Sequence, residues 1–333
     1  MNNNYDLIEI TENTKNAMGG TELLMHRIYD GKIPRSLLEK VQIIPSRVRE
    51  LSGDKHKILY LHDNSDDPEA QHLANNGWSK FHKLVFVSYT QRNEYIKKFD
   101  IPYSKTVVLH NSITKIPVTE KPKDKINLIY HTTPHRGLEI LVPVFEKLAE
   151  TDPEIHLDVY SSFSVYGWDE RDKPYEPLFE RIKNHKQMTY HGAVSNESVR
   201  DAVAKSHIFA YPAVWQETSC LALIEAMSAG CICVHPNFGA LPETGANWTM
   251  MYNFDENINN HANTFYGMLQ QAIKYARGGE LTPNLKSQKV YADMFYNWEY
   301  RSSQWEALIE SVIAEPLELA EIKEMFVFDT SGV

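Results

Sequence analysis

The sequence predicts an α/β protein made of two doubly wound, Rossmann-like domains with parallel sheets. Three features carry that reading. Short β-branched runs alternate with helical patterns from end to end, and the runs are almost wholly apolar, as strands are when helices cover both faces of a sheet. A length of 333 residues exceeds what one ordinary core serves and suits two. Between the halves lies Ile116-Pro-Val-Thr-Glu-Lys-Pro-Lys-Asp-Lys125, with alternating charge and no apolar face, the composition of an interdomain linker.

The elements follow in order. Residues 1–118 form the N-terminal domain, with strands expected over Tyr5–Ile10, Val41–Pro45, Lys57–His62, Lys83–Ser88 and Thr106–His110, and helices over Thr21–Tyr29 and Tyr89–Phe99. Residues 119–300 form the C-terminal domain. Its strands fit Ile126–His131, Ile155–Ser161, Met188–His191, His207–Tyr211 and Cys231–His235; its helices fit Leu138–Glu150, Ser195–Lys205, Ser219–Ala229 and Ile258–Tyr275. Pro143 lies inside the first of these helices and lacks an N–H, so that helix is expected to start late or kink. Residues 301–333 add a closing helix, with Trp305, Leu308, Ile309 and Ile313 on one face of Ser303–Ile313, and a tail expected to pack back on the N-terminal domain. Ligands of doubly wound sheets sit beyond the carboxyl ends of the strands, so two facing domains enclose one in the cleft between them.

Bulk properties narrow the function. Apolar residues at 42% and charged residues at 23% describe a globular chain. No apolar run approaches the ~20 residues that cross a bilayer, and Met1-Asn-Asn-Asn-Tyr-Asp6 lacks the pattern of a secretory signal. Cys220, Cys231 and Cys233 cluster in one stretch and make no disulfide framework, which points to the reducing cytoplasm. The Asn196-Glu-Ser and Asn247-Trp-Thr sequons are then coincidental. A net charge of −10 argues against a general nucleic-acid binder. The charge is uneven: the first 118 residues hold 16 Lys and Arg against 14 Asp and Glu, and the rest 18 against 30, which permits an anionic partner on the N-terminal half only. The fourteen histidines show no metal-binding spacing. Neither a Gly-x4-Gly-Lys-Ser/Thr loop nor Gly-x-Gly-x-x-Gly is present, which speaks against phosphate-loop kinases and dehydrogenases.

The segment richest in chemistry is Tyr211-Pro-Ala-Val-Trp-Gln-Glu217-Thr-Ser-Cys-Leu-Ala-Leu-Ile-Glu225-Ala-Met-Ser-Ala-Gly230. It leaves the carboxyl end of a strand, passes the small residues Thr218, Ser219 and Cys220, and runs through a helix to Gly230, which suits the left-handed position after a helix. The free N–H groups of that helix start favour a diphosphate. Glu217, on the loop, is placed to accept sugar hydroxyls, and Glu225, inside the helix, to accept those of a ribose. Glu-x7-Glu followed by Ala-Met-Ser-Ala-Gly resembles the donor-site signature of retaining GT-B glycosyltransferases of the group 1 (family 4) type. The resemblance extends from Gly19 to about Glu306, with only 211–230 highly specific. It implies two facing Rossmann-like domains, with Glu217 on the donor sugar and Glu225 on the nucleotide ribose.

Further segments fit the same family. Met18-Gly19-Gly20-Thr21-Glu22 precedes a helix and resembles the amino-terminal glycine loop that lies against the diphosphate. Tyr130-His131-Thr-Thr-Pro-His135-Arg136-Gly137 follows a strand, where a cation can neutralise the leaving diphosphate. There the family carries an arginine and then Lys-Gly. Arg136-Gly137 matches the second element, the first arginine has no counterpart, and His131 or His135 is the available substitute. His62, at the end of its strand, resembles a histidine that reaches the donor sugar from the acceptor domain. Asp63, Asp66 and Asp67 do not make a metal-binding Asp-x-Asp pattern and read as a solvated acidic loop. Gly192 and Ala193 match a turn near the base, and Ser161 and Ser162 end a strand where the family has a glycine-rich turn.

The resemblance implies transfer from a nucleoside diphosphate sugar, UDP- or GDP-linked, to an acceptor hydroxyl with retention. Arg136, Glu217 and His62 would be catalytic, and no metal or other cofactor is expected. A saccharide or a glycolipid is the first expectation for the acceptor, without stable membrane insertion. A hydroxymethylated base in DNA is an alternative permitted by Lys80, His82, Lys83, Arg92, Lys97 and Lys98. A nucleotide-sugar epimerase and a non-catalytic sugar-nucleotide binding protein are the remaining alternatives.

Overall fold

A computed structural model of the chain describes residues 19–319. They fall into two compact units, Ile28–Leu109 together with the chain from Ser302, and His110–Arg301 together with residues 19–27. The division lies at Leu109/His110 rather than at Val118, because the proline-containing stretch is tied to the larger unit. The N–H of Ile113 donates to the carbonyl of Tyr296 at 2.8 Å, that of Ile116 to Ser228 Oγ at 2.9 Å, and Lys289 Nζ to the Ile116 carbonyl at 2.5 Å. A segment whose backbone is paired in this way does not act as a free linker. The Gly19-Gly20 segment likewise groups with the larger unit.

In the smaller unit, β1 (Val41–Pro45), β2 (His56–Leu61), β3 (Lys83–Phe86) and β4 (Thr106–Val108) pair in that order, all parallel. Helix α1 (Gly20–Ile28) precedes them, and a single turn, α2 (Arg35–Leu38), leads into β1. After β3, Ser88 caps α3 (Tyr89–Phe99) by accepting the Gln91 N–H at 3.0 Å. The core gathers Leu59, Phe81, Leu84, Phe86 and Tyr95. In the closing helix, Trp305 sets its ring edge-on to Tyr60 at 4.9 Å. The strand expected over Tyr5–Ile10 lies outside the described residues.

The larger unit holds the sheet that matters for function. Its strands are β5 (Ile126–Tyr130), β6 (Ile155–Val159), β7 (Met188–Tyr190), β8 (Ile208–Ala210), β9 (Ile232–Pro236) and β10 (Met250–Tyr252), in the spatial order β10-β9-β8-β5-β6-β7 and parallel throughout. The chain starts in the middle, builds outward through β6 and β7, then returns to add β8, β9 and β10 on the other side. That reversal is the strand order of a dinucleotide-binding sheet and makes a switch point between β5 and β8, where the connecting loops diverge and leave a crevice. The helices are α4 (Leu138–Ala149), α5 (Glu176–Lys183), α6 (Asn196–Lys205), α7 (Leu221–Ser228), α8 (Leu241–Gly245), α9 (Ile258–Gly278) and α10 (Thr282–Phe295), followed by α11 (Trp298–Ile313). Helix α4 does not start late. It accommodates Pro143 because the carbonyl left without a donor, that of Glu139, belongs to a solvent-exposed residue.

Candidate functional site

Two loops leave the switch point. Residues 131–137 connect β5 to α4, and residues 211–220 connect β8 to α7. They bring Arg136 and Glu217, 81 positions apart, into an ion pair with Nη1 to Oε1 at 2.6 Å. The Tyr211 hydroxyl donates to the same carboxylate oxygen. Glu217 is 3% exposed, while the Arg136 side chain keeps 25% of its surface open. Burial works against the charge of Arg136. Glu217, with Tyr211 and Tyr166, more than offsets it and holds the guanidinium well above its ordinary value. Burial and the neighbouring carboxylate push the Tyr211 phenol well up, so it stays a donor.

The backbone fixes this pair. Gly137 has φ +132°, and a Cβ there would stand 2.2 Å from the Pro212 carbonyl oxygen, so the two loops touch main chain to main chain. Gly239 has φ +57°, and a Cβ would lie 2.6 Å from both the N and the O of Glu217. The Ala240 N–H donates to the Glu217 carbonyl at 2.7 Å, and the Val214 N–H to the Arg136 carbonyl at 3.3 Å. The loop that carries Arg136 holds buried polar atoms with no hydrogen-bonding partner among the described residues, namely Thr132 Oγ1, Thr133 Oγ1, His131 Nε2, His135 Nδ1 and Arg136 Nε, and Ser161 Oγ after β6 is another. Such atoms are rare in a folded chain unless something else is to meet them.

Neither histidine replaces the missing arginine. Burial drives His131 down to about 3. Burial, then Arg136 and Arg171, take His135 to about 4, so both rings are neutral at neutral pH. His135 also packs, stacking on Phe163 at 5.1 Å and meeting Trp215 edge-on at 4.9 Å.

Helix α7 begins at Leu221, later than the expected start at Ser219. Cys220 is its cap, with Sγ accepting the Leu223 N–H at 3.4 Å, and burial keeps that thiol protonated by pushing its pKa up. Thr218 and Ser219 are half-buried just before it. From Leu223 to Ser228 the helix is buried on every side, so Glu225, 6% exposed, needs a partner. Arg200 on α6 supplies it. Nη1 reaches Glu225 Oε1 at 2.6 Å, while Nη2 donates to the carbonyls of Thr114 at 2.7 Å and Lys115 at 3.2 Å. In the sequence Arg200 is one polar residue of an amphipathic helix and carries no signal of this contact. The two glutamates therefore belong to separate ion pairs.

Gly19 and Gly20 lie at the same place. A Cβ on Gly19 would meet the Tyr166 ring at 2.1 Å and one on Gly20 would meet Leu221 Cδ1 at 3.0 Å, so the start of α1 packs on the start of α7. Gly192 and Ala193 follow β7 in a half-buried turn. His191 ahead of them stacks on Tyr160 at 4.1 Å and bonds Asp158 at 2.8 Å. Ser162 Oγ donates to Asp172, and Ser161 is 2% exposed at the end of β6.

His62 belongs to the smaller unit. It follows β2, its N–H donates to Ser46 Oγ at 2.9 Å, its ring packs against Tyr60 at 4.1 Å, and burial lowers its pKa to about 3. Asp66 pairs with Lys98 at 2.7 Å and Asp67 accepts the Glu69 N–H at 2.8 Å. The basic stretch is largely engaged within its own unit. Lys83 pairs with Glu315 at 3.1 Å, Lys98 with Asp66, His82 bonds the Pro316 carbonyl at 3.2 Å, and Arg92 lies between the rings of Tyr89 and Tyr103.

Two parallel Rossmann-like sheets, each with helices between its strands, are the architecture of the GT-B fold. Residues 112–266, just under half of the chain, match the model described as glycosyl transferases group 1. It is 23% identical over 165 residues to one of the subunits of human phosphatidylinositol N-acetylglucosaminyltransferase, covering 48% of this chain and 33% of that one. The corresponding protein of Arabidopsis thaliana is 23% identical over 171 residues, 48% of this chain and 36% of that one. The chain thus spans about a third of the length of these curated relatives. Among solved structures, a glycosyltransferase from Rickettsia africae superposes with a TM-score of 0.62 at 14% identity over 95% of this chain and 85% of its own. Anabaena HepE in complex with UDP-glucose gives 0.60 at 16% identity over 77% and 72%. At such identities what is shared is the fold.

Proposed function

We propose that the chain transfers the sugar of a nucleoside diphosphate sugar, UDP- or GDP-linked, to an acceptor hydroxyl with retention and without a metal. The observation that carries this is the Arg136–Glu217 pair at the switch point of the larger sheet, its carboxylate buried and the Arg136 loop holding unpartnered polar atoms. A guanidinium and a helix start beside a carboxylate offer one partner for each end of such a donor: Arg136 and the α7 start for the diphosphate, Glu217 for the sugar hydroxyls. The bond from the anomeric carbon to the diphosphate oxygen lengthens as the acceptor oxygen approaches from the same face. The bonding pair leaves with the diphosphate, whose oxygen takes the hydroxyl proton. Arg136 stabilises the charge that develops. Glu225 receives the ribose hydroxyls, and His62, a neutral ring, contributes to transfer as a hydrogen-bonding group.

A glycolipid or saccharide acceptor is supported by the curated relatives, whose name states transfer of N-acetylglucosamine to phosphatidylinositol. The engagement of Lys83, Lys98, His82 and Arg92 within their own unit weighs against DNA as the acceptor.

Purified protein incubated with a panel of UDP- and GDP-sugars, with and without chelator, should release nucleotide from one of them. Chelator should leave the rate unchanged, and Glu217→Ala or Arg136→Ala should abolish release. Donor turnover untouched by either substitution would sink the assignment, and loss with chelator would sink its metal-free part. An isomerised sugar nucleotide formed without acceptor would mark an epimerase instead.

A further inference from the structure

The charges at the switch point do not yet match a diphosphate. Arg136 is matched by Glu217 and Arg200 by Glu225, while His131 and His135 are neutral. These groups together bring no net positive charge to a dianionic ligand. We propose that Arg171, carried by the loop between β6 and α5, supplies the second cation of the diphosphate site. This rests on the donor reading above.

The loop is folded so as to present that residue. Asp172 accepts the Ser162 hydroxyl and, at 2.8 Å, the Phe163 N–H, which draws the far part of the loop back to its start. Phe163 in turn stacks on His135, the neighbour of Arg136. The Trp168 N–H donates to the Phe163 carbonyl at 3.3 Å and the Arg171 N–H to the Trp168 carbonyl at 2.9 Å. The Arg171 guanidinium then lies 4.2 Å over the Trp168 ring. Its acidic neighbours are engaged elsewhere: Asp172 as above, Asp169 with the Ser164 hydroxyl, Glu170 with Lys173. No carboxylate pairs with Arg171 among the described residues, and the residue is exposed. An indole face holds a cation without neutralising it, so the guanidinium keeps its charge and donors for phosphate. The charge of Arg171 is felt at His135, and at the start of the loop Ser161 Oγ is buried without a partner.

Titration calorimetry of wild type, Arg171→Gln and Arg171→Lys with UDP, UMP and uridine, and with the guanosine series in parallel, tests the assignment. Arg171→Gln should weaken the diphosphate about tenfold or more and leave the nucleoside unchanged, with Arg171→Lys in between. Donor kcat/KM should fall in step with diphosphate affinity. Equal diphosphate affinity in wild type and Arg171→Gln overturns the proposal, as does an equal loss for uridine, which would mark a merely structural role. Wild type binding neither UDP nor GDP would overturn the donor reading itself, and this proposal with it.

Discussion

Removing one partner of the Arg136–Glu217 pair should unsettle the larger unit more than removing both. Arg136→Met leaves a carboxylate at 3% exposure with, among the described residues, the Tyr211 hydroxyl to meet it. Stranding a fully buried charge costs about 3–5 kcal/mol. The surviving hydroxyl bond, and the quarter of Arg136 that water already reaches, bring the expectation down to about 2–3 kcal/mol. For a unit of this size that is a fall of about 4–12 °C in its transition. Adding Glu217→Gln to Arg136→Met should restore most of the loss, because the neutral amide still accepts from Tyr211 and no charge remains buried. Scanning calorimetry of the two single variants and the double variant, with the two units' transitions resolved, reads the cycle, and donor turnover is measured on the same samples. Stability should return in the double variant while turnover does not, which is the outcome the proposed donor role of the pair requires. Additive losses in the cycle would refute the buried-charge argument, and recovery of turnover in the double variant would refute the functional one.

Three more outcomes follow from the same geometry. Gly239→Ala should lower donor turnover at least about tenfold and cost about 1–3 kcal/mol, since its Cβ would meet Glu217 main-chain atoms at 2.6 Å and the carboxylate must move; wild-type kinetics would show that this contact does not set its position. Glu225→Gln should abolish any preference for UDP over its 2′,3′-dideoxy analogue in a binding assay, and a wild type without that preference would remove the ribose role. His235, fully buried between the Pro236 carbonyl and Thr249, has its pKa lowered from 6.5 to about 4 by burial. The unfolded chain therefore binds the proton first as pH falls, so this stability is whole above pH 6.5 and is lost towards pH 4, on the order of 2 kcal/mol by pH 5. Denaturant titrations between pH 7 and pH 5 should show a smaller decline in His235→Gln than in wild type; equal declines would refute it.

The sheets are legible because burial on both faces writes itself as apolar runs: Val41–Pro45 lies where the pattern puts it, and the other expected strands among the described residues differ by a residue or two at their ends. Strand β10, only three residues at a sheet edge, has too little pattern to be read. Helix α10 opens on Thr282-Pro283, a start signal that was available. In the site, Glu217, Glu225 and Arg136 could be named from spacing and from their place after strands. Arg200 could not, because its pairing with Glu225 depends on how α6 lies against α7. The neutrality of His131 and His135 was equally out of reach, since it is set by burial rather than by residue type. The boundary near residue 110 was misplaced because the stretch after it reads as solvent-exposed, whereas Lys289 and Ser228 bind its backbone.

The contact between Gly239 and the main chain of Glu217 also bears on redesign. The carboxylate is positioned from beneath, by backbone that no side-chain choice at its immediate neighbours controls. Val214, at 42% exposure, projects from the same loop, whereas Trp215 packs on His135 at 4.9 Å and lies 5.8 Å under the Arg136 guanidinium. A library around the proposed sugar site can therefore vary Val214 freely, while Trp215 and Gly239 stay fixed as the parts that hold Arg136 and Glu217 in place.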